Sequence, residues 1–366
     1  MPSFDIVRKV CPEKTFRVSA VMGTYDMSSE NVEEHFTGNI DLPEKWSIGL
    51  IVGNSGTGKT TIAKELFPDA YVTNFSYTHE TILDDMPEGR SITDISKTLC
   101  SVGFSSPPSW LKPYAVLSNG EKMRCDLARA ILSKEELFVF DEFTSVVDRN
   151  IAKIGSFAMQ KAIRKTDKRF IAVTCHFDVE DWLMPDWVFD TNSMTFRLCS
   201  GEQKKNRPFI RVDIYDTKEK EYYWKLVKKY HYLTHSFNKA AKVYIATING
   251  DFAGFSSIIK FPHPKKKNAW RGHRTVVLPD FQGIGLSMIL TKFICEELAK
   301  SGQIFITTTS NVARVKGLMK DKDFVCTRKS RTDRGKGDFQ NMKSKGNTSS
   351  SRVTYAFEYR KKGEKK

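Results

Sequence analysis

The sequence predicts an α/β domain followed by an α+β domain within 366 residues. Three observations carry that division. An apolar strand, Trp46 to Val52, enters a glycine-rich turn and a helix, and strands then alternate with helices as far as His176. That order suits a mostly parallel sheet with crossover helices. The polar run GEQKKNRP after Ser200 reads as a linker. Beyond it come a helix, a hairpin, a second long helix and a strand. The expected domains are therefore 1–200 and 208–366, joined by a linker at 201–207.

Before the apolar strand, Phe16 to Tyr71 reads as strand-like segments broken by turns. After the glycine turn, the helix Thr60 to Phe67 is stopped by Pro68. Thr73 to Pro113, with Pro and Ser clustered near Ser105 to Ser109, reads as short helices and loops inserted between two halves of a nucleotide fold. A helix from Glu121 to Leu132 leads into the strand Glu136 to Asp141. A further strand, Arg169 to Thr174, ends at Cys175 and His176. In the second half, the helix Lys220 to Tyr230 precedes Val243–Ile248 and Phe252–Ile259. These two are joined by Asn249-Gly250-Asp251, a strong hairpin signal. The basic loop Pro262 to Arg274, a strand Thr275–Leu278, the helix Leu286–Lys300 and the strand Gln303–Thr308 follow. A closing strand within Thr348 to Tyr359 makes the basic stretch before it a long loop rather than a free end.

Composition narrows the function. With 40% apolar and 28% charged residues, the chain has the balance of a soluble globular protein. The apolar run around Ser47 to Val52 is far shorter than the roughly 18 residues that span a bilayer, and Met1 to Val10 has no signal-peptide core. Seven cysteines, without a Cys-x-x-Cys pair, write neither a disulfide framework nor a zinc site. A reducing, cytoplasmic setting without membrane attachment is expected. The net charge is +15, and nine of those charges fall in the last 40 residues. Such an excess points to a polyanionic partner, or to a solubilising tail.

Gly53-Asn54-Ser55-Gly56-Thr57-Gly58-Lys59-Thr60, with Thr61 continuing the helix start, fits G-x-x-x-x-G-K-[ST] between strand and helix. Glycines let backbone N–H groups curl around phosphates, and the helix terminus adds its dipole. Lys59 reaches the β and γ phosphates of ATP, and Thr60 can ligate Mg2+. The strand Leu137 to Phe140 ends in Asp141-Glu142. Asp141 would hold Mg2+ and Glu142 would polarise the attacking water.

Leu117-Ser118-Asn119-Gly120-Glu121 resembles the signature segment of ABC-type ATPases. Ser118 and Gly120 sit at a helix N-terminus, able to grip a nucleotide held by another subunit. Asp148 in Ser145-Val146-Val147-Asp148 resembles that family's D-loop, and His176 its switch histidine. The resemblance covers residues 48 to 180. Asn119 and Glu121 replace the family's Gly and Gln, and no glutamine lies between Lys59 and Glu142, so the Q-loop is missing. This looks more like the soluble ABC ATPases that act on nucleic acid than like a transporter subunit. The resemblance implies an ATP-dependent homodimer.

Leu278-Pro279-Asp280-Phe281-Gln282-Gly283-Ile284-Gly285-Leu286-Ser287 joins a strand to a long helix and resembles the Q/R-x-x-G-x-G/A motif of GNAT acyltransferases. Small residues at a helix start expose N–H groups to a pyrophosphate. The resemblance implies that this pyrophosphate belongs to acetyl-CoA or another acyl-CoA, with Val276 to Leu278 on the pantetheine arm. The family's tyrosine acid would fall near Leu318 and Met319, so the acid is not identified. His231-Tyr232 resembles the His-Tyr pair of phage Mom-like acyltransferases, which modify adenine in DNA. His235 and His273 are further proton-transfer candidates. Lys265-Lys266-Lys267 with Trp270, Arg271, His273 and Arg274 mixes cations with an aromatic, a mixture suited to nucleic acid. With the tail Arg328 to Lys345 it would form a nucleic-acid groove. The function expected is ATP hydrolysis coupled to acylation of nucleic acid, DNA in preference to RNA. Acylation of RNA, tRNA or a protein amine stays open, as does a non-catalytic platform on an ATP-driven DNA-repair or segregation clamp.

Overall fold

A computed structural model describes residues 3–9, 13, 15–26, 33–72, 75–199, 209–232, 235–262, 266–331 and 353–360. The expected linker 201–207, Lys265 and most of the basic stretch 328–345 lie outside these residues. In chain order the first elements are β1 (Ser3–Lys9), α1 (Phe16–Thr24), β2 (Glu33–Asn39), β3 (Ile48–Val52) and α2 (Lys59–Leu66). Three helices follow: α3 (Ile92–Ser101), α4 (Pro107–Trp110) and α5 (Asn119–Leu132). Next come β4 (Leu137–Phe140), α6 (Arg149–Ile163), β5 (Arg169–Thr174), α7 (Val179–Leu183), β6 (Trp187–Asp190) and β7 (Thr195–Leu198). The second half contains β8 (Val212–Thr217), α8 (Lys220–Val227), β9 (Lys242–Ile248), β10 (Asp251–Lys260) and β11 (Ala269–Val277). It closes with α9 (Leu286–Lys300), β12 (Ile304–Thr309), α10 (Val312–Lys320), β13 (Phe324–Arg331) and β14 (Val353–Tyr359).

The elements form two compact units, each made of two chain stretches: 1–76 with 133–208, and 77–132 with 209–366. This grouping joins Tyr77–Leu132, which the sequence places among nucleotide-fold elements, to the C-terminal half.

In the first unit a five-stranded sheet has the order β4-β5-β3-β6-β7. The first four strands are parallel, and β7 is antiparallel to β6. All five residues of β3 are buried, as a central parallel strand requires. Gly49 is needed there because the Trp187 indole occupies the space a Cβ would fill. An antiparallel ribbon of β1 and β2 packs Phe4 and Phe36 against Ile51 and Phe189. Phe16–Thr24 is helical, against the strand-like expectation. Thr15 caps it by accepting from Val18 N at 3.3 Å, and none of its residues is buried.

In the second unit a seven-stranded sheet has the order β13-β14-β12-β11-β10-β9-β8. Asn249 and Gly250 take φ of +52° and +95°, the primed hairpin turn that the Asn-Gly pair favours. Helix α9 buries Ile294, Cys295 and Leu298 against Tyr244, Ile258, Phe305 and Phe357. Trp224 of α8 packs with Val243, Ile245, Phe255 and Val276. Within Tyr77–Leu132, the stacked rings of Tyr77 and Tyr114 each donate an O–H to Asp126, at 2.7 Å. Burial pushes the Asp126 carboxyl above the usual carboxylate range. Among the described residues no helix is long and apolar enough to cross a membrane.

Candidate active sites

The phosphate loop lies between β3 and α2. Gly56 and Gly58 take φ of +86° and +80°, and a Cβ at Gly56 would meet nothing within 4 Å, so the loop is an open cradle. At Gly58 a Cβ would lie 2.7 Å from the Phe36 ring. Asn54 N donates to Asn192 Oδ1 at 2.9 Å, and the Thr57 and Thr191 hydroxyls are 2.6 Å apart. Lys59 is buried and its Nζ donates to Asn54 O at 2.6 Å. One of its three N–H donors is thus used on the loop itself.

Strands β4 and β5 are parallel neighbours, and β5 pairs with β3. Asp141, His176 and the phosphate loop therefore share the carboxyl end of one sheet, the edge where ligands of open α/β sheets bind. Thr60 Oγ1 donates to Asp141 Oδ2 at 2.7 Å, and the Tyr71 hydroxyl donates to the same oxygen. Burial and the Asp141 charge push the Tyr71 phenol up. A carboxylate beside a threonine hydroxyl is the oxygen donor set that Mg2+ takes, so these residues fit the ion. Glu142 is exposed, takes φ of +51° and accepts from Ser145 Oγ. Thr144 is buried at φ +68° with its hydroxyl unpartnered. Left-handed backbone at a β-branched residue is costly and collects at functional sites. Asp148 caps α6 by accepting from Asn150 N at 2.8 Å. Asn192, Thr191 and Tyr71 carry no sequence signal.

In the other unit, Ser118 and Glu121 form a reciprocal capping box. Glu121 N donates to Ser118 Oγ at 3.3 Å, and Ser118 N donates to Glu121 Oε2 at 3.1 Å. Glu121, the departure from the signature pattern, is thus the second half of that cap. It also accepts from Ser109 Oγ at 2.8 Å.

The donor loop runs from β11 through the turn Pro279–Phe281 into Gln282, Gly283, Ile284 and Gly285, where α9 begins. Gly283 and Gly285 take φ of +93° and +89°, and a Cβ at Gly285 would meet nothing within 4 Å. Beside it the sheet opens. β11 pairs with β12 only at Ala269–Arg271, whereas β11 continues to Val277 and β12 continues along β14. Parallel strands that part in this way leave backbone groups facing a gap. Leu278 N donates to Ala253 O at 2.9 Å and Leu278 O accepts from Phe281 N at 3.0 Å. The Gln282 side chain bridges Ser105 N, at 2.6 Å, and Val277 O, at 2.8 Å. Ser287 O accepts from Thr291 Oγ1 at 2.7 Å.

His231 follows α8 and is buried against Trp224, with the Tyr232 ring stacked 5.3 Å away. Burial first, then the charges of Arg274, His273 and His235, lower its pKa to about 4. His273 on β11 is lowered to about 4 by burial and by Arg274 and Arg271. Its Nε2 accepts from Asn238 N at 3.3 Å. Arg314 of α10 donates from Nη2 to Thr291 Oγ1 at 3.0 Å, and its buried Nη1 has no partner. Burial lowers the pKa of the Arg274 and Arg314 guanidinium groups, and the neighbouring Tyr232 partly offsets this in both. No sequence motif marks Arg314. In α10, Leu318 is buried and Met319 exposed. The site therefore offers neutral imidazoles beside a phenol and two guanidinium groups, a set suited to moving one proton and steadying negative charge.

Residues 209–322 match the acetyltransferase (GNAT) family model. The GNAT fold thus accounts for the parted strands, the glycine turn and α9. The chain is 28% identical over 195 residues to the lactococcin-G-processing and transport ATP-binding protein LagD of Lactococcus lactis, covering 39% of this chain and 27% of LagD. It spans about a quarter of that relative. A solved dimeric ATP-binding cassette with ADP and Pi shares 15% identity at a TM-score of 0.38, over 46% of this chain and 93% of the cassette. The ribosomal-protein-S18-alanine N-acetyltransferase of Escherichia coli shares 14% identity at a TM-score of 0.31, over 41% of this chain and 93% of that enzyme. The first unit thus has a mostly parallel α/β fold with a phosphate loop, and residues 209–322 have the GNAT α+β fold.

Around the GNAT sheet, the residues expected to form a nucleic-acid groove are mostly engaged with the protein. Lys266 pairs with Glu358, Arg271 lies over Phe261 at 4.9 Å, and Trp270 packs at the edge of the core.

Proposed function

We propose that this chain hydrolyses ATP and transfers an acyl group from acyl-CoA to an amine on nucleic acid, a DNA base before an RNA one. The acyl-transfer half is carried by the parting of β11 and β12 beside a glycine turn that opens α9. Backbone N–H groups of Gly283 to Ser287 would hold the pyrophosphate of acyl-CoA, with Gln282 bracing the turn through its side chain, and Val276 and Leu278 would line the pantetheine arm. When bound, that group would supply an activated thioester carbonyl, whose C–S bond breaks as the new C–N bond forms, and the departing thiolate would take its proton from solvent. His231, neutral at pH 7, accepts the proton that an attacking amine sheds onto an imidazole nitrogen. Tyr232 orients the acceptor from its stacked position, and Arg274 and Arg314 steady the charge that develops beside it.

In the nucleotide half, residues 53–61 would hold the phosphates of ATP, with Thr60 and Asp141 holding Mg2+. Glu142 takes the proton of the attacking water, and His176 contacts the terminal phosphate. Ser118, Gly120 and Asp148 of a second copy would complete the site in an ATP-dependent homodimer. The net charge of +15, concentrated near the C-terminus, supports a polyanionic acceptor.

Mass spectrometry of DNA nucleosides from cells expressing the wild type or Gly285→Glu tests the acceptor. A new, heavier nucleoside is expected with the wild type alone. An unchanged nucleoside profile overturns the DNA assignment.

A further inference from the structure

Arg124 is a charged side chain with 1% exposure, in the second turn of the helix that Ser118 and Gly120 open. Among the described residues no carboxylate approaches its guanidinium closer than 4.0 Å, the distance from Nη1 to Asp280 Oδ1. Instead Nη1 donates to Pro279 O at 2.6 Å and Nη2 donates to Asp280 O at 2.9 Å. Its Nε is buried without a partner. A buried guanidinium is costly unless it is satisfied, and here its two forked donors go to the backbone of the turn leading into Gly283 and Gly285. Two more contacts act on that turn from the loop between α3 and α4, within the same 77–132 stretch. Ser105 N donates to Gln282 Oε1 at 2.6 Å. Gly103, at φ +86°, lies so close that a Cβ would sit 2.9 Å from Gln282 O.

We infer that Arg124 is a positioning residue for the acyl-donor loop and links nucleotide engagement at Ser118–Gly120 to acyl-CoA binding at Gly283–Ser287. This rests on the proposed reading of both loops. Arg124 lies six positions beyond Ser118, a rigid helical rise of about 9 Å. A nucleotide phosphate drawn onto the N-terminus of α5 displaces Arg124 with the helix. Two hydrogen bonds then carry the displacement into the turn from Pro279 to Gly285. Thermodynamic reciprocity requires acyl-CoA to alter nucleotide affinity by the same factor.

The test measures acetyl-CoA binding by calorimetry on the full chain carrying Glu142→Gln, which slows hydrolysis, with and without ATP and Mg2+. Expected is a change in acetyl-CoA Kd of about fivefold or more on adding nucleotide. Adding Arg124→Met removes most of that change, and Arg124→Lys restores part of it. In the hydrolysing chain, Arg124→Met raises KM for acetyl-CoA more than it lowers kcat. Gly103→Ala, which presses on Gln282 from the same segment, weakens acetyl-CoA binding even where Arg124→Met fails to fold. Equal acetyl-CoA affinity with and without bound ATP overturns the linkage, as does a full ATP effect in folded Arg124→Met. Absence of acetyl-CoA binding to the parent chain overturns the donor-loop reading, and the inference with it.

Discussion

Thr60 Oγ1 donates to Asp141 Oδ2 at 2.7 Å, joining the start of α2 to the end of β4. Asp141→Asn keeps the shape of this contact and removes the charge a divalent cation needs. The expected outcome is ATP hydrolysis lowered about 100-fold or more. Phosphate release followed against Mg2+ concentration checks it, and EDTA treatment of the wild type should reach the same low rate.

Glu142 is held at φ +51° beside Asp141, exposed where an attacking water can reach it. Glu142→Gln should lower the hydrolysis rate by about 100- to 10,000-fold while ATP binding persists. Equal turnover in the two proteins removes Glu142 as the base.

His231 and His273 each have a pKa of about 4 when folded, against 6.5 ordinarily. Between those values the unfolded chain binds more protons than the folded one. Their contribution to stability is therefore complete above about pH 6.5 and is lost as pH falls through 4. The urea midpoint should drop steadily over that window, and His231→Gln should flatten the drop. In turnover assays, the acid limb of acyl transfer should lie well below pH 6.5.

Gly285 opens α9 at φ +89° with nothing near its Cβ position. Gly285→Val has room but not the backbone freedom, so the N–H groups of the turn must re-aim. Acetyl-CoA affinity by calorimetry should fall at least about tenfold, a loss near 1.4 kcal/mol. ATP affinity without acyl-CoA should be unchanged.

A methyl group on Gly49 would overlap the Trp187 indole in the centre of the parallel sheet. Gly49→Ala should destabilise the first unit by about 1 to 3 kcal/mol, the range of an overpacked core. Urea unfolding followed by tryptophan fluorescence measures it.

What the sequence reveals depends on how local each cause is. The phosphate loop, the Asn249-Gly250 hairpin and the long helix α9 are written in short-range spacing and fold as read. Phe16–Thr24 misleads because its apolar letters serve either period, and the exposed helix lies in no core to decide between them. The cap formed by Ser118 and Glu121 was legible as S-x-x-E, though the same letters also resemble a nucleotide-gripping signature. Arg124, Ser105 and Tyr71 were not legible at all. Their partners lie 155, 177 and 70 positions away, and no periodicity encodes such a meeting. Arg314 stands alone in an amphipathic helix, and only burial of its guanidinium sets it apart.

Because the chain quits one unit at residue 76, re-enters it at 133 and leaves again near 208, neither can be finished from a contiguous stretch during synthesis. The earliest-made strands wait for β5 and β6 to emerge, and α3 to α5 wait for the carboxyl half. Severing the polypeptide after residue 208 would yield a C-terminal fragment whose Pro279 and Asp280 carbonyls have lost their guanidinium and whose Gln282 has lost its amide. The two chemistries therefore cannot be separated by a simple cut, as tethered modules usually can, and a split gene would have to bring both pieces back together before the second lobe stood.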